Sequence, residues 1–208
     1  MRARSEPDGK EGLDAVERAQ VTRADELAKR ACCIARAVRR AGGQLIFENP
    51  VDRGDKESPF YRDIWGEHFP LWLLPCMLAL RLELGLKSVD FPMCAFGSPY
   101  QKLTTLWYTA ELDEHMRPFR DASCTCEFHE ATAYGLGANG QYRSAAAAAY
   151  PESMNWLLAS AVAAVRMAAG HVRRPLFIGS AKPHANAALA SEAATLARTA
   201  SSASARRL

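Results

Sequence analysis

The feature that constrains this chain most is a helical pattern that stops on two glycines and passes at once into an apolar run. From Ala24 to Ala41, Leu27, Ala31, Ile34, Ala35 and Val38 recur at helical spacing, which places them on one face. Thr22 and Asp25, three apart, form an imperfect capping box at the start. Arg39 and Arg40 lie in the last turn, where the helix dipole favours cations. Gly42-Gly43 ends the helix, because glycine enters the left-handed region without steric penalty. Gln44–Glu48 then reads as a short buried strand, so helix, glycine pair and strand make half of an α/β unit. The strand runs out on Glu48-Asn49-Pro50, and an open α/β sheet presents its polar groups at the carboxyl ends of its strands.

The remaining elements follow the same grammar. Leu71–Leu84 is apolar nearly all round and reads as a buried helix, with Pro75 in its first turn and Gly85 closing it. Lys87–Phe91 and Leu103–Thr109 read as strands, joined by the turn residues Phe96–Gln101. Ser58-Pro59 opens a short helix through Tyr61 and Trp65, and Glu111–Phe119 forms one or two helical turns. Pro151–Ala169 carries the clearest stripe: Met154, Leu157, Leu158, Ala161, Val162 and Val165. The four tryptophans, Trp65, Trp72, Trp107 and Trp156, sit in apolar stretches and read as core. Hydrophobic residues are 49% of the chain, enough for a real core of α/β class, a small mostly parallel sheet between helices. Residues 1–12 read as a disordered lead-in, 13–178 as the folded domain with a Cys/His/Gly insertion at 123–143, and 179–208 as a disordered Ala/Ser-rich basic tail.

Composition limits the function classes. The N-terminus lacks the apolar core of a secretory signal, no window is apolar enough for a membrane helix, and the six cysteines are scattered. The expectation is an intracellular protein with no membrane partner. A net charge of +3 does not by itself indicate nucleic acid.

Three segments carry a resemblance when read in order. They are Phe47-Glu48-Asn49-Pro50, then Cys94 to Thr105 with Gly97, Gln101, Lys102 and Thr104, then Ala149-Tyr150-Pro151 and the helix after it. Together they resemble the DNA cytosine-C5 methyltransferase superfamily, and more closely the divergent methylase-like domains of phages and of algal and fungal retroelements. The similarity covers roughly Leu27 to Ala169. It implies a truncated Rossmann-like methyltransferase fold, with Glu48 as the catalytic glutamate bonding a flipped cytosine and Asn49 and Pro50 fixing the turn that aims it. Gln101, Lys102 and Thr104 are implied beside that pocket as substrate contacts, although Gly97–Lys102 also reads as a plain turn. S-adenosylmethionine is implied as methyl donor, and DNA as a possible partner.

The chain also departs from the superfamily pattern. Cys32 and Cys33, upstream of Glu48, lie within a helical stripe rather than in a Pro-Cys loop, and Pro75-Cys76 comes after it. Gly135–Gly140 has G-x-G-x-x-G spacing with no strand before it, and reads as a flexible loop. The expectation is a methylase-like domain inactive alone, lacking donor site and nucleophile, its shortened sheet open to a partner chain or to self-association.

Cys124-x-Cys126-x-x-His129 makes a separate constellation. Two thiols and an imidazole supply three corners of a zinc site, with Cys94 as candidate fourth ligand; unliganded thiols in a loop are the competing reading. Two further functions stand beside the methylase-like one: a nucleic-acid-binding module without catalysis, and a zinc-dependent enzyme with Glu48 as proton carrier.

Overall fold

The computed structural model describes residues 2–129 and 148–170. These fall into two compact units: one built from residues up to Phe91 with Leu103–Asp113 and Arg117–Ala122, the other from Pro92–Lys102, Glu114–Met116 and the described residues after Ser123.

In the first unit, helix α1 spans Ala15–Arg40, nine residues more at its amino end than the stripe indicates. The start is set by a complete capping box: the Asp14 carboxylate accepts from Glu17 N at 2.8 Å, and Asp14 N donates to the Glu17 carboxylate at 3.1 Å. Its buried face is also rotated from the expected one. Val21, Ala28, Cys32 and Ala35 point inward, while Leu27 and Ile34 are 57% and 65% exposed. Small side chains on the inner face let α1 approach its neighbours closely. The helix ends where expected: Arg39 donates to Gly43 O at 2.8 Å, and a Cβ on Gly43 would stand 2.5 Å from Val38 Cγ1.

Strand β1 spans Ile46–Pro50, β2 Lys87–Pro92 and β3 Leu103–Tyr108. They form one sheet in the order β1-β3-β2. The expected mostly parallel sheet is not found. β3 lies in the middle and runs antiparallel to β1, with Ile46 opposite Tyr108 and Pro50 opposite Thr104. The sheet is a small antiparallel one, and no Rossmann fold is seen among the described residues. The reason is connection length: Met93–Lys102 joins β2 to β3, whereas a parallel return needs a crossover of a dozen or more residues, usually a helix.

A short 3-10 turn at Leu71–Leu73 precedes helix α2, Pro75–Leu84, which starts on Pro75 and stops at Gly85 with φ +59°. α1 and α2 pack with the sheet around Ala28, Cys32, Ala35, Leu45, Trp72, Leu74, Met77, Leu80, Leu86 and Trp107. Trp72 stacks on Trp107 with ring centroids 4.4 Å apart, and the Arg81 guanidinium lies 4.8 Å from the Trp107 ring. Trp65 is only half-buried and Trp156 is 46% exposed, so two of the four tryptophans are not core residues as expected. Ser58–Trp65 yields one 3-10 turn, Asp63–Trp65; Ala110–Met116 is 3-10 and leads into α3, Arg117–Arg120.

Residues 2–12 correct the expectation of a disordered lead-in. Ala3 is buried and bridges to His68, Arg2 pairs with Asp25, and Arg4 pairs with Asp52. In the second unit, helix α4 spans Glu152–Ala168 behind Pro151 and buries Met154, Leu157, Ala161 and Ala164. Most of the expected insertion at 123–143, the Gly135–Gly140 motif and the expected tail at 179–208 lie outside the described residues. No helix among the described residues is long and apolar enough to cross a membrane.

Candidate metal centre

The second unit begins where β2 ends. Pro92 leads into a 3-10 turn, Met93–Phe96, anchored by the buried side chains of Met93 and Phe96. The turn closes at Gly97, whose φ of +89° lies in the left-handed region and whose N–H donates to Cys94 O at 3.0 Å. Met93 N donates to Lys102 O at 3.0 Å, and Ser153 at the start of α4 donates to Phe96 O at 2.7 Å. Cys94, 8% exposed, is therefore carried on a short turn fixed from both sides.

Against it lies the segment Cys124–His129. One ligand atom from each of Cys94, Cys124, Cys126 and His129 falls within 4.8 Å of the other three. Cys124 Sγ and His129 Nε2 are 3.3 Å apart. In a tetrahedral zinc site the ligand atoms stand about 3.5–3.8 Å from one another, given metal–sulfur and metal–nitrogen bonds near 2.3 and 2.0 Å. The four groups need to contract by only about 1 Å at most to meet that geometry.

The surroundings favour thiolate at one corner. The Cys124 thiol is held below its ordinary range first by the backbone N–H of Cys126, then by the Cys94, Cys126 and Gln101 side chains, with partial burial opposing. Burial, followed by the neighbouring thiols, pushes the Cys94 thiol up to about 12. Such a set stays protonated at its buried corner until a cation replaces the proton.

The residues implied by the methylase resemblance divide between the units. Glu48, Asn49 and Pro50 end β1 in the first unit, where Glu48 is half-buried and Pro50 O accepts from the Trp72 indole at 3.1 Å. Thr104, also in the first unit, is fully buried. Lys102, in the second unit, lies 5.2 Å from the Tyr150 ring. Gln101 sits against Cys124, a role in the Cys/His cluster that spacing did not reveal. Its place two residues before β3, at the foot of the loop carrying Cys94, was the available signal.

No family model matches the chain, and no curated protein and no solved structure matches it.

Proposed function

We propose that this chain is a zinc-binding domain in which Cys94, Cys124, Cys126 and His129 hold the ion as a structural centre of the second unit. The observation that carries the reading is the convergence of four soft ligand atoms within 4.8 Å, one of them about 30 residues before the others. Three thiolates and an imidazole fill a tetrahedral shell and leave no position for water, as in structural rather than catalytic sites. That closed set weighs against the zinc-dependent enzyme with Glu48 as proton carrier. The test is metal analysis of purified protein together with cobalt substitution. One equivalent of zinc is expected, replaceable by cobalt with thiolate-to-cobalt charge-transfer bands. A folded chain that takes up neither metal overturns the reading.

A second reading is the methylase-like one: a domain related to DNA cytosine methylases that recognises a base through Glu48 and is inactive alone. If active, it is an S-adenosylmethionine-dependent DNA methyltransferase. What favours it is the place of Glu48 on β1, two residues before Pro50, whose carbonyl accepts from the Trp72 indole, with Val51 N donating to Leu103 O at 3.1 Å. Calorimetric titration of S-adenosylmethionine into the folded chain tests the inactive form of this reading. No binding is expected, and tight binding would assign a complete donor site.

A further inference from the structure

We infer that the loop after β1 carries an anion site, formed by Arg53 and Arg62 beside the Trp65 ring, that takes a phosphate group. The site lies wholly in the first unit and rests on neither reading above.

The loop is folded tightly enough to fix the two arginines as a pair. Arg62 N donates to Arg53 O at 2.9 Å, which turns the chain back on itself. The 3-10 turn Asp63–Trp65 follows, and the Arg53 guanidinium lies 5.8 Å from the Trp65 ring. Gly54 packs so closely that a Cβ there would meet Trp65 O at 2.3 Å, so this fold of the loop requires glycine.

Within that frame the half-buried Arg53 has one polar atom with no partner. Its Nε is buried with no hydrogen-bond partner among the described residues. No carboxylate pairs with Arg53 or Arg62 among the described residues, and the charge nearest in effect to Arg53 is Arg62, which together with burial lowers its pKa. Three acids of the loop have other partners. Asp52 pairs with Arg4 and accepts from Gly54 N, Asp55 accepts from Glu57 N, and Asp63 accepts from the Tyr61 hydroxyl. Asp52 and Asp55 both act on Asp90, across the sheet from which the loop emerges. The loop thus brings Arg53 and Arg62 together through their backbones and leaves the Arg53 Nε–H without a partner among the described residues.

A guanidinium beside an aromatic ring can fork onto an oxyanion through its terminal N–H groups, and two arginines match a group with several charged oxygens. Phosphate has that chemistry, as a free monoester or as a phosphodiester of nucleic acid. The test uses the full chain, wild type and the variants Arg53→Gln and Arg62→Gln. Inorganic phosphate in the tens of millimolar range should raise the wild-type melting temperature beyond sodium chloride of equal ionic strength, and each variant should lose most of that rise. A fluorescein-labelled oligonucleotide read by anisotropy forms the second arm. If the source is a nucleic-acid backbone, each variant should also lower the salt slope of binding by about 1. A phosphate effect without an oligonucleotide effect assigns a monoester. Arg53→Lys, which keeps the charge and removes the fork, covers the case in which the glutamine variant fails to fold, and should also lose the phosphate rise. Equal responses of wild type and variants in both arms overturn the site.

Discussion

Removing the metal should loosen the second unit by an amount set by the length of chain that the ion closes. Cys94 and the nearest of its co-ligands, Cys124, are about 30 residues apart, and cross-linking a loop of that size restricts the unfolded chain by about 3.6 kcal/mol. Mass action gives a similar figure, about 4 kcal/mol, when free zinc stands a thousandfold above its dissociation constant. For a chain of this length that corresponds to a fall in melting temperature of about 10 °C on chelation. The assay is thermal unfolding by circular dichroism, with stoichiometric zinc and then with a strong chelator, in wild type and in Cys94→Ala. Cys33→Ser is the control, because that exposed thiol lies on α1, outside the cluster. The pH dependence has a defined sign. Zinc must displace thiol protons, so zinc-derived stability grows with pH through the neutral range and is lost in acid. In the metal-free chain Cys94 acts in the opposite direction. Its thiol is raised from an ordinary 9.0 to about 12, so the folded chain holds the proton more tightly and loses stability as pH climbs between those values. A melting temperature indifferent to chelation, with zinc present at one equivalent, would place the ion on other ligands and refute the reasoning.

Gln101→Leu should weaken zinc binding about tenfold, measured by competition with a chromophoric chelator, because a polar side chain that favours the Cys124 thiolate is lost while the four ligands remain. Asp90→Asn should stabilise the chain at neutral pH and leave it unchanged in strong acid. Burial raises the Asp90 carboxyl against the opposing Thr105 hydroxyl at 2.6 Å, so its penalty applies above the unfolded-state pKa and disappears below it; urea denaturation at two pH values reads the difference. Asp113→Asn should remove part of the acid limb of the stability profile. Lys87, then Tyr108 and Arg120, hold that carboxyl below its ordinary range, so its contribution is present above about pH 4 and is lost as pH falls through the lowered value. Trp72→Phe should destabilise by about 1–2 kcal/mol in the same denaturation assay, since the Pro50 carbonyl loses its indole donor.

The local elements were legible because their signals are local. Gly42-Gly43, Pro75 with Gly85, and Pro151 with Gly170 bracket helices whose ends differ from the pattern by a residue or two, apart from the starts of α1 and α2. The start of α1 differs because its capping box is Asp14 with Glu17 and not Thr22 with Asp25, and its buried face differs from the stripe for a separate reason. The residues that face the core there, Ala28, Cys32 and Ala35, are small, and the large Leu27 and Ile34 look outward. Apolar periodicity reports which side chains share a face, and close helix packing can select the small ones. Strand direction is a different matter, since alternation is the same in both senses. The information lay in the ten residues from Met93 to Lys102, too few for a parallel crossover, and the resemblance to a parallel fold outweighed it.

The candidate centre divides along the same line between local and non-local. Cys124, Cys126 and His129 could be grouped from spacing alone, because an extended segment places alternate side chains within reach of one ion. Cys94 needed the fold. Its turn is held by Met93, Phe96, Gly97 and Ser153, none of them a ligand, and without those contacts the fourth thiol has no reason to meet the other three. The resemblance implies Gln101 as a base-pocket contact, and its side chain also helps hold the Cys124 thiol below its ordinary range. A polar residue beside a ligand cluster has two possible occupations, substrate contact or support of a ligand atom, and sequence does not separate them. The separation comes from loss of function in the variant: a support residue changes the metal affinity and the cobalt charge-transfer band, whereas a substrate contact leaves both as they were.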